Sequence, residues 1–532
     1  MDLPAPRHHA LGPSGGIRMK KISTSIGRRG LDLLKIAGAG MRLRRGDSEK
    51  VAHNAQRFLT EAMGRMKGLP QKLGQILSMS ESELADGFEE LTGNAQALEF
   101  SVVEQVLAQE WQRPWRQVLG SLEPEALAAS LGQVHRGTLP DGRPVAVKVQ
   151  YPGIGRAVVA DLKMLGWLSA PLGGFRRAFN LQGYREELAR DFEEELDYQT
   201  EAENQHQYHF LSQYQPNLAV PAIHGGLCTR HVLVGDWEEG ETLVHVAEHW
   251  SPEERAMAAR AFLEHALGFF RHGFVHADLH PGNYRFRRHN GAVQLLLYDF
   301  GCIFRAPLEL RLAFLRLIQI TEAGSAEDPY PLFVEMGFNP EYLEPMADKL
   351  PALCRVLLEP FIIPAPYDIT RWHLGERVAD VLGDDRWNFR VAGPPEIIFM
   401  MRMFHGLLHA LRTLGGPQNW HHLMAPIRTH FAAETAALQV STPPRQDGGF
   451  GQLARHLKIK VVRDGETRVQ LTSPWRMIDN LDELMDEELR AQIVGQGTDI
   501  EAIVHRVRAS GYRPQELFRL RDEHRDITIW LE

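Results

Sequence analysis

His276-Ala277-Asp278-Leu279-His280-Pro281-Gly282-Asn283, followed 16 residues after Asn283 by Asp299-Phe300-Gly301, is the stretch on which the fold turns. A carboxylate five residues ahead of an amide, with a second carboxylate beyond a short hairpin, suits a phosphoryl-transfer centre. Two oxygen ligands hold Mg²⁺ on the phosphates, and the first Asp orients or deprotonates the attacking group. Asp-Phe-Gly alone recurs by chance in roughly one chain in ten of this length, so the pairing of the two elements at this spacing carries the weight.

A third element lies upstream. Val145-Ala146-Val147-Lys148 reads as a strand whose terminal ammonium can reach two phosphates at once. Such a lysine needs a carboxylate to hold it, and Glu201, in the helical pattern 182–213, is the natural partner. Singly, a strand-end lysine and a helix-face glutamate are ordinary surface residues. In the order small-residue loop, strand Lys, helix Glu, catalytic loop, Asp-Phe-Gly, they define a nucleotide site.

Around this centre the chain divides into a flexible basic leader over 1–48, a helical extension over 49–120 and a small lobe over 121–240. A helical lobe follows over 241–440, then a C-terminal α+β module over 450–532. Asp141-Gly142 between apolar runs predicts a hairpin ending in the Lys148 strand, and His231–Trp237 reads as further strand. Helical patterns cover 153–170 and 182–213, and run from Pro252 to about 440 apart from a β-rich stretch at Leu295–Asp299. Thr442-Pro443-Pro444 and Gly448-Gly449 read as a linker. Beyond it, Leu457–Val461 and Thr467–Leu471 alternate around Asp464-Gly465 as a second hairpin, followed by helices at 479–494 and 499–509 and a strand at Ile527–Leu531.

The 532 residues, 44% hydrophobic, bury a large core. A formal charge of −9 argues against a nucleic-acid coat, which needs a cationic face. Cys228, Cys302 and Cys354 are too few and too far apart for a disulfide scaffold or a thiolate zinc site, and fit a reducing compartment. No run of 18 apolar residues exists, so the expectation is a cytoplasmic protein, at most peripheral to a membrane. Residues 18–45 set nine cationic residues against Asp32 alone, with apolar residues interleaved. That segment reads either as a solvated basic face or as a helix lying on anionic lipid headgroups.

The motifs as a set resemble the UbiB/AarF family of atypical, protein-kinase-like proteins, over about residues 50–420. Lys72-Leu73-Gly74-Gln75 matches that family's KxGQ signature, and Glu195-Leu196-Asp197 its ExD region. Ala128-Ala129-Ser130-Leu131-Gly132-Gln133-Val134-His135 matches its alanine-rich nucleotide loop. The resemblance implies an α+β, protein-kinase-like two-lobed fold that binds ATP or ADP with Mg²⁺. It places Asp278 as the catalytic Asp, Lys148 as the phosphate clamp held by Glu201, and Asn283 and Asp299 as the metal ligands. Lys72 would meet Glu195 or Asp197, Gln75 would face the nucleotide, and Ala128, Ala129 and Ser130 would form the nucleotide loop. Glu195 and Asp197 point about 200° apart on a regular helix, so one ammonium meets both only across a helix end. Ubiquinone biosynthesis or other isoprenoid-lipid metabolism is the implied setting.

Alanines where ordinary kinases place glycines restrict φ and alter how a triphosphate sits. Ala277 stands where many protein kinases have an Arg, and only Cys302–Pro307 separate Gly301 from helical text, with no Ala-Pro-Glu motif. Phosphorylation of proteins in trans is therefore not expected. His276 and His280 read as loop-ordering groups, His421 and His422 as no site, and Met400, Met401 and Met403 as core packing or a lipid-facing wall. Two rivals remain: a small-molecule phosphotransferase of the aminoglycoside and choline kinase type, and a nucleotide-sensing scaffold for lipid enzymes.

Overall fold

The computed structural model describes residues 98–129, 131–155 and 194–532, the last with gaps at 446–447, at 465, and within 482–498 and 522–524. The basic leader with its segment 18–45, the KxGQ residues Lys72 and Gln75, Ser130, and the helical text of 156–193 lie outside the described residues.

Helix α1 (Phe100–Trp111) precedes an antiparallel sheet of order β1-β2-β3-β5, built from β1 (Ser121–Ala128), β2 (Gly132–Thr138), β3 (Pro144–Gln150) and β5 (Val232–Asp236). The Asp141-Gly142 hairpin forms as expected: Gly142 adopts φ +87°, and Leu139 N–H donates to Arg143 O at 2.8 Å. Val145, Val147 and Val149 are fully buried with Val232 and Val234 against Val103 and Leu107 of α1. Because side chains alternate along a strand, that burial turns Lys148 to the opposite face. Gly132 belongs to a close approach, since a Cβ there would sit 2.3 Å from Val149 O and 2.8 Å from the Tyr198 hydroxyl.

Strand β1 is the element that sequence pattern does not announce. Ser121-Leu122-Glu123-Pro124-Glu125-Ala126-Leu127-Ala128 is made of helix formers and a proline. It becomes a strand because it lies on the sheet edge, where Pro124 falls inside a register shift between Leu122 and Ala126 and withholds no ladder bond.

Helix α2 (Tyr198–Ser212) starts where Asp197 accepts a bond from Gln199 N–H, and puts Glu201 in its first turn. Beyond it come β4 (Leu218–Ala219), α3 (Leu243–His249) and α4 (Pro252–Leu267), the last opened by a Ser251/Glu254 capping box with proline at its first position. Strands β6 (Phe274–His276) and β9 (Ile303–Arg305) pair with each other. Between them β7 (Tyr284–His289) and β8 (Ala292–Leu297) form a hairpin closed by Asn290-Gly291, both with positive φ. Helices α5 (Leu308–Ala323), α6 (Leu350–Leu357), α7 (Leu374–Leu382), α8 (Ile397–Leu414) and α9 (Trp420–His430) complete the helical lobe. Met400 and Met403 are core residues of α8, and Met401 is 40% exposed.

The C-terminal sheet, of order β11-β10-β13-β12, comprises β10 (His456–Arg463), β11 (Glu466–Pro474), β12 (Gln515–Arg521) and β13 (Arg525–Leu531), with α10 (Ile500–Ala509) beside it. Its apolar residues Leu457, Val507, Tyr512 and Ile529 belong to the same buried cluster as the helical lobe. A buried polar network fastens the two. Arg377 of α7 bonds Glu359 Oε2 at 2.6 Å, Asp479 at 3.4 Å and the Tyr512 hydroxyl at 3.3 Å, while the Tyr367 hydroxyl donates to Glu359 Oε1 at 2.9 Å. Arg355 donates to Ala454 O and lies 4.5 Å over the Trp475 ring.

The stretch read as a linker is tied down by the same packing. Arg445 N–H donates to Asp328 Oδ2 at 2.9 Å, and a Cβ on Gly449 would fall 2.0 Å from Ala326 O. Its glycines serve close approach, not freedom of the chain.

Arg377→Ala strips the cation from carboxylates that stay buried, so it is expected to cost about 3 kcal/mol or more. The check is the midpoint of urea unfolding, which shifts far more than for truncation of the exposed Arg468.

Candidate active site

Lys148 is the junction of the site. Its Nζ donates to Glu201 Oε1 at 2.7 Å and Oε2 at 2.9 Å, and to Asp299 Oδ2 at 2.9 Å, and it lies 5.0 Å from the Tyr198 ring centroid. The Lys148 and Glu201 side chains are 11% and 0% exposed. Burial opposes the Lys148 charge, yet Asp299 and Glu201 hold its ammonium well above the ordinary lysine value. Burial pushes the Glu201 carboxyl up, to about 7, against the pull of Lys148, and the nearby Asp299 carboxylate adds to the rise.

The Asp-Phe-Gly turn is held on every side. Asp299 Oδ1 accepts from Gly301 N–H at 3.1 Å, Asn204 of α2 donates to Phe300 O at 3.2 Å, and a Cβ on Gly301 would lie 3.2 Å from Glu195 Cγ. In the catalytic loop, Asn283 Nδ2 donates to both Asp278 O and Asp278 Oδ2 at 3.0 Å. His276 Nε2 faces Asp299 O at 2.7 Å while its Nδ1 accepts from Asp278 N–H at 3.3 Å. A carbonyl on one side and an amide on the other fix the neutral tautomer with the proton on Nε2, in keeping with burial that lowers the His276 pKa. His276 thus ties the two motifs together as a loop-ordering group. His280 Nδ1 accepts from Gly282 N–H within its own loop. Among the described residues no cluster of three or more His, Cys, Asp or Glu could hold a metal ion.

The sequence-predicted residues separate into three groups. Lys148, Glu201 and Asp299 meet directly, and Asp278 with Asn283 forms the adjoining pair. Glu195 is buried beside Gly301, whereas Asp197 caps α2, so the two carboxylates of the ExD run face different tasks. Ala128 and Ala129 lie at the β1–β2 turn, where Ala129 N–H donates to Gly132 O and is committed to closing the hairpin. Gln133 and His135 of the same motif are fully buried: Gln133 accepts from Leu98 N–H, and His135 Nδ1 donates to Glu123 O, so they brace the lobe.

Two features of α8 escaped sequence reasoning. Arg402 Nη2 stands 3.4 Å from Asp278 Oδ1, and a Cβ on Gly406 would lie 2.5 Å from Leu279 O. Both sit far downstream of any motif, in a helix whose apolar text gives no local sign of a polar contact. His421 and His422 do not converge on a site; His421 joins Glu322 and Arg428 in a surface ion cluster.

A β-sheet lobe carrying a lysine held by a helix glutamate, above a helical lobe carrying paired Asp/Asn and Asp-Phe-Gly elements, defines an atypical protein-kinase-like domain. Residues 90–324 match the family described as the ABC1 atypical kinase-like domain. That domain is similar to those of the UbiB/AarF family. It is 31% identical to AarF domain-containing protein kinase 1 of Xenopus laevis over 290 residues, 50% of this chain and 55% of that one. It is 26% identical to the mitochondrial atypical kinase coq-8 of Caenorhabditis elegans over 359 residues, 65% of this chain and 47% of that one. The chain spans about half the length of the curated relatives it matches. Among solved structures, a Mycobacterium tuberculosis protein in its erythromycin complex aligns with a TM-score of 0.49 at 25% identity, over 71% of this chain and 96% of that one.

Behind the catalytic loop, the Tyr208 ring lies within about 6 Å of His265, His272 and His276 and 5.1 Å from Phe300. Burial, with His276 and His272 nearby, holds His265 well below the ordinary histidine value. Burial, with Arg311 and Arg271, takes His272 down to about 4. A histidine depressed on folding contributes stability that is full above its unfolded pKa and is lost as pH falls toward the folded one. Thermal stability is therefore expected to decline between about pH 6.5 and 4. His272→Asn, which keeps an acceptor for Phe274 N–H, should flatten that decline by about 1–3 kcal/mol across pH-dependent melts.

Proposed function

We propose that this chain binds ATP or ADP with Mg²⁺ between its two lobes and hydrolyses ATP or transfers its phosphoryl group. The setting is ubiquinone or other isoprenoid-lipid metabolism, without phosphorylation of proteins in trans. The observation that carries this reading is the Lys148 ammonium bonded at once to Glu201 and Asp299. It joins the strand, helix and Asp-Phe-Gly elements of a phosphate clamp in one place.

The residues fit a Mg²⁺–nucleotide. With both amide bonds of Asn283 spent on Asp278, its Oδ1 is the oxygen left to face a cation, and Asp299 supplies a carboxylate. Hard oxygen donors of this kind suit Mg²⁺. When bound, the cation would neutralise charge on the transferring phosphoryl group. Glu201 holds Lys148 in reach of the phosphates, and the carboxylate of Asp278, oriented by Asn283, would take the proton of the attacking hydroxyl or water. Ser130 with Ala128 and Ala129 would shape the phosphate side of the pocket. By the family resemblance, Lys72 would meet Glu195 or Asp197, and Gln75 would face the nucleotide.

The case against protein substrates rests on the segment after Gly301. Residues Ile303–Arg305 form a strand bonded to β6, and α5 begins at Leu308, so no extended platform for a peptide separates them. Among the described residues no helix is long and apolar enough to cross a membrane. Contact with anionic membrane through residues 18–45 belongs to the proposal.

Phosphate release from Mg²⁺–ATP, measured with liposomes and phenolic quinone precursors, is expected from the wild type and to fall at least a hundredfold in Asp299→Asn. Nucleotide binding with no release under any condition would leave the scaffold reading. Free hydroxyl acceptors that are phosphorylated without lipid would favour a small-molecule phosphotransferase. Separately, Arg42, Arg44 and Arg45 changed together to Gln should weaken cosedimentation with anionic vesicles, and unchanged sedimentation would remove the membrane contact.

A further inference from the structure

The catalytic carboxylate is held by two elements, and only one of them belongs to its own loop. Asn283 occupies Asp278 Oδ2, and Arg402, reaching in from α8, stands at Asp278 Oδ1. Asn283 hydrogen-bonds one oxygen, and Arg402 Nη2 lies 3.4 Å from the other, in ion-pair range but without a hydrogen bond, so the cation acts on the carboxylate by charge. The Arg402 side chain is 5% exposed, and its Nη1 also donates to Cys302 Sγ at 3.4 Å, one residue past Gly301.

Arg402 is one of three residues on a single stripe of α8 that touch this centre. Phe399, one turn earlier, stacks on Phe304 of β9 with centroids 5.4 Å apart and planes 15° apart. Gly406, one turn later, leaves room for the Leu279 carbonyl, which a Cβ would approach to 2.5 Å. Positions 399, 402 and 406 recur at helical spacing, so one rigid face bears on the catalytic loop and on the strand after Asp-Phe-Gly together.

Stability is a poor reason for the ion pair. A buried pair is often no more stabilising than an apolar filling of the same shape, so a cation placed against this particular carboxylate points to orientation. We propose that Arg402 is a positioning residue for Asp278, and that α8 holds the catalytic loop and the post-Asp-Phe-Gly strand in their working arrangement. This rests on the phosphoryl-transfer reading above. Arg402 would act through Asp278, which must be aligned on the attacking group, and would leave nucleotide affinity to Lys148 and the metal ligands.

The test uses the full chain, with Mg²⁺–ATP turnover, titration of a fluorescent ATP analogue, and thermal melts. Arg402→Met is expected to lower kcat ten- to a hundredfold while KM for ATP and the analogue Kd stay within twofold. Arg402→Lys, which keeps the cation but not the fork, should recover part of the lost kcat. Gly406→Ala, which pushes on Leu279 from the same helix, should lower kcat with the same indifference in Kd. If Arg402→Met does not fold, the Lys and Gly406 variants carry the comparison. Turnover within twofold of wild type in Arg402→Met, a parallel fall of affinity and kcat, or no recovery with Lys overturns the assignment and leaves the functional reading standing. A folded, nucleotide-binding wild type with no turnover overturns the enzyme reading and this inference with it.

Discussion

A single ammonium shared by two carboxylates from different parts of the chain sets the terms for the rest of this structure. Lys148 reaches Glu201 and Asp299 only because β3 alternates, so that three buried valines on one face turn the lysine to the other. Glu201 meets it only because Asp197 starts α2 where it does. Asp299 arrives through a turn whose Gly301 leaves space beside Glu195. Strand alternation, helix start and turn glycine thus converge on one buried ion cluster.

What could be read in the sequence follows the range of the forces involved. The catalytic loop, the strand lysine and the Asp-Phe-Gly turn are local arrangements, with chemistry and spacing carried by neighbouring residues. Hairpins at Asp141-Gly142 and Asp464-Gly465 are likewise local, since positive φ at Gly142 and Asp464 is a property of the turn residues themselves. Strand β1 was illegible because its residues prefer helix, and pairing with β2 overrides that preference. Arg402 and Gly406 were illegible for a different reason. Their partners are distant in the chain, and an arginine in an apolar helix gives no clue to which carboxylate it meets.

The glycines near 448–449 show the limit of reading composition as flexibility. Proline and glycine in series suggest a joint, and in many chains they are one. Here the backbone is pressed against Ala326 and Asp328, where no Cβ fits, and Arg445 bonds Asp328 and the Ala347 carbonyl. The same residue type permits a loose chain or a tight contact, and only the neighbours decide. With Arg377 and Arg355 buried in the adjoining network, the C-terminal sheet is continuous with the core of the helical lobe.

The segment after Asp-Phe-Gly connects this packing to activity. In kinases switched by phosphorylation, an arginine next to the catalytic Asp receives the phosphate that orders a long segment. This chain has Ala277, fully buried, at that place, and its segment is short, paired with β6 and stacked on Phe399. Order that another chain acquires by modification is here supplied by tertiary contacts. The neutral His276, bridging the Asp299 carbonyl and the Asp278 amide, makes the same point at atomic scale: its tautomer is fixed by its two partners, leaving it to hold the loop and not to exchange protons.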